Sequence, residues 1–372
     1  MSDTHPMLPA ATHDEAAEQL FIRDLKNFVS GDLEPFTSRR AAQFDPGPGH
    51  NDREGRVYER LHEDDAFLSY ASLRRTSQEM LWDAIGRSVQ RQAPELEARA
   101  AAAPALGSIT LDEAMAAPGY LVDSDVHLMP GGYAAEMPGV MQGAIMDRGG
   151  AVYMLGRNGG FMNDRRGRTV ISHLFTRFPD VEPSRILELG CGIGASIVPV
   201  AEAFPDAEVY GLDVGASMLR YAHARAAHLG AAVHFVQGSA EAAPFPDESF
   251  DLVFSAALFH ETSRDAIARI VEESHRLLRP GGVAIHLEVP NRYEAMDLWG
   301  RIRGKIEHDY NNEPAWREAI SADYDAVLRS AGFVDVATGY QDSTGTPERG
   351  KGVFSPASKG TFLSWFVASG RR

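Results

Sequence analysis

Cysteine is almost missing from this chain: Cys191 stands alone among 372 residues. A disulfide framework and a cysteine-built zinc site are therefore excluded. Long hydrophobic runs are missing too. No stretch of eighteen apolar residues occurs, so neither a membrane span nor a membrane partner is expected. The start, Met1-Ser2-Asp3-Thr4-His5-Pro6, lacks the charged-then-apolar pattern of a signal peptide, and a cytoplasmic location is expected. Positive charge is in deficit, with 36 basic against 52 acidic side chains and a formal net charge of −16. Phosphate backbones are held by clustered Lys and Arg, so a nucleic-acid partner is not expected. What is present is core-forming: 44% of residues are apolar and 24% charged. The length suits two domains, or one large domain with an appendage, and what these exclusions leave is the expectation of an enzyme acting on a small molecule.

Helical spacing marks Leu20, Phe21, Leu25 and Val29 after the cap candidate Thr12, and Gly31-Asp32 ends that helix. The residues before it read as a frayed terminus. The stretch Ser38–Arg56, broken by Pro46, Gly47, Pro48 and Gly49, reads as loop. A second helical block covers about residues 64–103. Thr76 and Glu79 fit a capping box there, Leu81, Trp82, Ile85 and Val89 mark a buried face, and Pro94 interrupts or restarts the helix. Residues 117–168 are punctuated by Pro-Gly and Gly-Gly pairs yet rich in Tyr and Met, which predicts an irregular, partly buried lid over a cleft. The expected division is a mainly helical part over 1–165, containing that lid, and an α/β domain over 166–372. Strands and helices alternate from Ser184 onward, which implies a parallel sheet covered on both faces.

The central motif is Ile186-Leu187-Glu188-Leu189-Gly190-Cys191-Gly192-Ile193-Gly194. Strand, glycine turn and helix follow in that order, and the glycines let a ligand approach the backbone. The spacing is neither that of a nicotinamide fingerprint nor that of a phosphate-binding loop. About twenty residues on, Asp213 closes a strand, where an acid accepts hydrogen bonds from ribose hydroxyls. Val236-Gln237-Gly238-Ser239-Ala240-Glu241, Phe250-Asp251-Leu252-Val253-Phe254-Ser255 and Leu277-Leu278-Arg279-Pro280-Gly281-Gly282 complete an ordered set of five.

This set resembles the class I S-adenosylmethionine-dependent methyltransferase family over roughly residues 169–372, most densely over 184–290. The resemblance implies a Rossmann-like α/β fold with a seven-stranded sheet, the last strand antiparallel, built at its end from Val334–Thr338 and Phe362–Ala368. It implies S-adenosyl-L-methionine as cofactor. Glu188, Gly190, Cys191, Gly192 and Gly194 would lie beside its methionine part, and Asp213 would hold the ribose. Val214 and Met218 would flank the adenosine, Ser239, Ala240 and Glu241 would line the adenine edge, and Ser255 and Ala256 would border the sulfonium. Many members of the family carry Asp where this chain has Ser239.

On the acceptor side, His260 follows the fourth strand of the motif set and is the candidate general base, with Glu261 to orient it. Tyr133, Tyr153, Asn163 and Tyr293 are candidate substrate contacts, and residues 123–133, 157–168 and the insert 291–318 are candidate pocket walls. His286 and Glu288 share a strand face and, with His127 or His260, form a set of metal-ligand types, but no compact spacing supports a metal and none is expected. The expected reaction is methyl transfer to a small molecule. Attack on the aminocarboxypropyl arm and a non-catalytic binding module are the alternatives. The apolar helix faces also permit a homodimer.

Overall fold

A computed structural model describes residues 4–122, 124–154, 157–289 and 296–372. Asp123 and Tyr293 lie outside them. The amino terminus is anchored rather than frayed, because Met7 and Leu8 are buried and the His5 ring meets buried Asp147 at 2.9 Å. Thr12 and Glu15 form a capping box on helix α1 (His13–Phe28). Gly31-Asp32 does not end the helical run. A π turn over Val29–Leu33 carries it into α2 (Glu34–Gln43), where Pro35 in the first turn favours helix. The loop expected from Ser38 therefore shrinks to residues 44–52. Leu20 and Phe21 are exposed, and Gln19 and Ile22 take the buried face.

Next come α3 (Arg53–Leu61), α4 (Asp65–Arg91) and α5 (Ala93–Ala101). Asp64 caps α4 by accepting from the N–H groups of Ala66 and Phe67. Thr76 is consequently inside that helix and caps nothing, while Glu79 pairs with Arg75 one turn earlier. Leu81, Trp82, Ile85 and Val89 form the expected buried face, and Pro94 restarts the chain as α5. Residues 117–168 are more regular than their glycines suggest. They hold α6 (Gly119–Val122), α7 (Met141–Tyr153) and the start of α8 (Arg165–Arg177). A Cβ on Gly149 would lie 2.1 Å from Cζ3 of Trp82, so this glycine lets α7 and α4 approach closely rather than breaking the helix.

The strands are β1 (Ser108–Thr110), β2 (Arg185–Leu189), β3 (Glu208–Asp213), β4 (Val233–Gln237), β5 (Phe250–Ala256), β6 (Leu278–Glu288), β7 (Val334–Asp342), β8 (Phe354–Ser355) and β9 (Ser364–Arg371). They form one sheet in the order β1-β4-β3-β2-β5-β6-β9-β7-β8. Among the described residues there are thus nine strands, not seven: β1 adds a parallel edge beside β4 and β8 an antiparallel edge beside β7. The inner five strands run parallel, and β9 is antiparallel to β6. Helices α9 (Ile197–Ala203), α10 (Ala216–His228) and α11 (Arg264–Leu277) cover the sheet, and α12 (Leu298–Asn311), α13 (Trp316–Ile320) and α14 (Tyr324–Ser330) follow.

The amino-terminal helices do not pack alone. Leu81, Trp82 and Ala144 share one apolar cluster with Ile193, Met218 and Tyr221, and Val57, Phe67 and Tyr70 share another with Ile302 and Ile306 of α12. The first contact fixes residues 117–168 against the carboxyl edge of the sheet. There β2 and β5 are neighbours while their connections leave in opposite directions, the place where open α/β sheets bind ligands.

Candidate active site

At that edge β2 ends in Gly190, Cys191 and Gly192. Gly190 and Gly192 have φ of +68° and +49°, backbone that favours glycine. A Cβ on Gly190 would lie 2.6 Å from Cδ1 of Leu258. Asp213 ties the turn to β3, its Oδ2 accepting from Gly192 N–H at 2.8 Å and its Oδ1 from Gly215 N–H at 2.9 Å. Burial raises its pKa, and these N–H groups oppose the rise.

A cleft of about 930 Å³ opens above this turn. Of the residues expected at the cofactor, Glu188, Gly190, Cys191, Gly192, Asp213, Val214, Ser239, Ala240 and Ala256 line it. Four do not. Gly194 lies behind the turn against Phe235 and Ala222, and Met218 is fully buried in the cluster beneath the amino-terminal helices. Ser255 is buried with its hydroxyl on His286 Nδ1 at 2.9 Å. Glu241 instead accepts from Tyr120 OH at 2.7 Å and Arg269 Nε at 2.6 Å, fastening α6 to the rim. The Cys191 thiol is buried, which pushes its pKa well up, so it fills the turn rather than acting as a nucleophile.

Among the acceptor candidates, Tyr133 and Asn163 line the cleft. Tyr153 does not; it packs beside His127 with the Lys26 ammonium over its ring. His260 is the larger correction. Its Nδ1 is 3.0 Å from Glu288 Oε2 and its Nε2 is 3.1 Å from Glu261 Oε1, and it does not line the cleft. Burial lowers its pKa, but the two carboxylates outweigh this and hold it at about 10. With Nδ1 on Glu288 and Nε2 on Glu261, neither ring nitrogen faces the cleft to take a substrate proton. Glu261 does line the cleft, and its Oε1 also receives His127 Nε2 at 2.8 Å and Tyr133 OH at 3.2 Å.

Arg166, Tyr120, Leu121, Met146 and Leu258 also line the cleft; the first four lie in the expected lid 117–168, but none was singled out as a site residue by its sequence. Arg166 lies in the first turn of α8, the helix before the motif strand, and only folding brings it to the same cleft as Glu188. Its Nε and Glu188 Oε2 are buried without partners. Burial lowers the pKa of Arg166 and raises that of Glu188 well above the carboxylate range. A buried polar group without full hydrogen bonding is costly, so these two atoms are open to the polar groups of a bound ligand.

A family model described as a methyltransferase domain matches residues 186–282. The chain is similar to fatty-acid O-methyltransferase of Mycolicibacterium smegmatis, 36% identical over 122 residues, covering 33% of this chain and 43% of that protein. It is similar to demethylmenaquinone methyltransferase of Geobacillus kaustophilus, 32% identical over 169 residues, covering 41% of this chain and 71% of that protein. Among solved structures, phosphoethanolamine N-methyltransferase 2 of Haemonchus contortus in complex with S-adenosyl-L-methionine is 20% identical, with a TM-score of 0.38, covering 48% of this chain and 38% of that one. The chain therefore spans less than half of the first relative and about seven-tenths of the second. On the motif set, the sheet order, the methyltransferase-domain match and the likeness to demethylmenaquinone methyltransferase, the chain belongs to the class I S-adenosylmethionine-dependent methyltransferase family.

Proposed function

We propose that the protein transfers the methyl group of S-adenosyl-L-methionine to a small-molecule acceptor held between the carboxyl edge of the sheet and residues 117–168. The observation that carries this reading is the cleft itself. It brings Asp213, the unpartnered Glu188 oxygen and Arg166 into one cavity with the apolar side chains of Leu121, Met146, Ile193 and Leu258. The cofactor fits that donor set, since it has ribose hydroxyls for Asp213, an ammonium for Glu188 and a carboxylate for Arg166. Ser239 and Ala240 then border the adenine, with Tyr120 and Leu121 of α6 closing over it. The bound cofactor supplies a methyl group activated by a sulfonium.

The chain's own share is alignment and exclusion of water. Gly190 and Ala256 border the reacting region with little or no side chain, leaving room for an in-line approach. Tyr133, Met146 and Leu258 supply apolar cover and the walls of the acceptor pocket. Asn163 is pinned by Asn158, whose Nδ2 donates to its Oδ1 at 2.6 Å, and it faces the same space with φ +52°. The relatives named above are methyltransferases for a fatty acid and for demethylmenaquinone, which supports a small-molecule acceptor.

The test is a product assay with calorimetry. The purified protein is titrated with S-adenosyl-L-methionine, then incubated with it and a fractionated metabolite extract. Saturable binding and extract-dependent S-adenosylhomocysteine are expected. Absence of binding, or methylthioadenosine above the protein-free control, overturns the proposal.

A further inference from the structure

Beside the cofactor cleft, two histidines and a carboxylate converge from two distant parts of the chain, His127 from one and the neighbours His260 and Glu261 from the other. His127 Nε2 and His260 Nε2 lie 2.8 Å and 3.1 Å from Glu261 Oε1, and the three ligand-type atoms all fall within 4.8 Å of one another. We propose that His127, His260 and Glu261 bind a divalent first-row transition ion whose remaining positions take an oxygen donor of the acceptor. This rests on the reading of the cleft as the site of methyl transfer.

The distances suit an ion. Metal–ligand bonds of about 2.1 Å set roughly at right angles place neighbouring donor atoms about 3 Å apart. The His260 ring is supported from behind as metal-bound histidines are. His260 Nδ1 is 3.0 Å from Glu288 Oε2, and that carboxylate is itself fixed by Phe259 N–H on Oε1 at 2.5 Å. Glu313 Oε1 lies 3.0 Å from His127 Nδ1 as an ion-pair contact, and Asn311 Nδ2 donates to the same oxygen. Both Nε2 atoms are thereby turned toward Glu261.

His127 also occupies unusual backbone. It and Leu128 have φ of +58° and +57°, a left-handed conformation that costs roughly 1–2 kcal/mol per residue. The turn is held there by Trp82 Nε1 at 2.7 Å and Gln78 Nε2 at 2.9 Å, both donating to the His127 carbonyl. Strain sustained by surrounding structure marks a position whose side chain must point one way.

A second observation points to a missing cation. The Glu261 side chain is 9% exposed, and its Oε2 has no partner, like Oε2 of Glu313. Three carboxylates, Glu261, Glu288 and Glu313, surround two imidazoles, and a dication offsets two of the three negative charges once both rings are neutral. Two nitrogens with one carboxylate favour zinc, iron, cobalt or manganese over magnesium, which prefers oxygen alone. Glu261 lines the cleft and His260 does not, so the open positions face the acceptor side.

The experiment uses the full chain, stripped with chelator under anaerobic conditions and titrated separately with Zn2+, Fe2+, Mn2+ and Mg2+. One equivalent of a transition ion and no tight Mg2+ are expected. His127→Gln and Glu261→Gln should each weaken Zn2+ binding at least tenfold. Circular dichroism and S-adenosyl-L-methionine affinity report whether these variants keep the fold. Acetohydroxamate, a bidentate oxygen ligand, should shift the visible spectrum of the Co2+ form. Sub-stoichiometric metal in the wild type, unchanged Zn2+ affinity in correctly folded variants, or an unmoved Co2+ spectrum overturns the inference. Protein that binds cofactor and makes S-adenosylhomocysteine without any metal refutes this inference alone. Protein that binds metal but no cofactor refutes the proposed function instead.

Discussion

Replacing Arg166 by Gln separates cofactor recognition from mere support of the fold. Arg166 lines the same cleft as Glu188, and its Nε has no partner. Burial lowers its pKa, with Tyr133, Glu188, Glu288 and Glu261 opposing. In the free protein the guanidinium is therefore under-compensated, and its removal should leave the melting temperature unchanged or slightly raised. In the complex it should meet the cofactor carboxylate. A hydrogen bond to a charged group contributes about 1.5–3 kcal/mol, so the cofactor Kd should rise roughly 10- to 150-fold. Methylthioadenosine offers the matching control, because it keeps the adenosine and the sulfur but has no carboxylate. Its affinity should change by no more than about twofold, since the lost partner is absent from both sides of the comparison. Calorimetry with wild type and Arg166→Gln against both ligands completes a four-way cycle. Equal losses for the two ligands would refute the assignment, as would an unchanged Kd for S-adenosyl-L-methionine.

Four further outcomes are expected. Asp213→Ala frees the N–H groups of Gly192 and Gly215 and removes the ribose acceptor; calorimetry should show cofactor affinity at least about tenfold weaker. Cys191 should resist iodoacetamide at pH 8 in the folded protein and react after denaturation, as mass spectrometry would read; rapid native alkylation would contradict its burial. Gly149→Ala drives a Cβ into the Trp82 ring and should destabilise by about 1–3 kcal/mol in urea unfolding, through loss of the α7–α4 contact. Buried His173 and His286 have pKa values lowered by burial to about 4 and about 3. Their unfolded values lie near 6.5, so the unfolded chain takes up protons first as pH falls below that. Each then removes up to roughly 1.4 kcal/mol of stability per pH unit until its native value is reached. Urea titrations between pH 7 and 4.5 should show this slope, and His173→Gln should flatten it.

Much of this protein is local in origin and could be read directly from the chain. Strands β2 to β6 carry their own apolar runs, each bounded by a turn signal, and the glycines Gly190 and Gly192 with Asp213 mark the edge where the cleft opens without any knowledge of what packs above. The Thr12 capping box and the Leu81–Val89 face are equally local. The misses arise where a distant partner decides the outcome. Gly149 sits within a helix because Trp82 needs the space, and Gly31 is carried through by a π turn. The added edge strands β1 and β8 have three and two residues, too short for a period-two pattern to show. His260 is no free base, because Glu288 comes from a strand 28 positions away and Glu261 bridges it to His127, 134 positions from Glu261. Arg166 reaches the cleft that Glu188 lines only when α8 packs on the sheet. Periodicity and turn chemistry belong to neighbours in sequence, so they fixed the sheet and the cofactor edge. Charge pairing depends on distance in space, so only the tertiary structure decided the state of the acceptor-side residues.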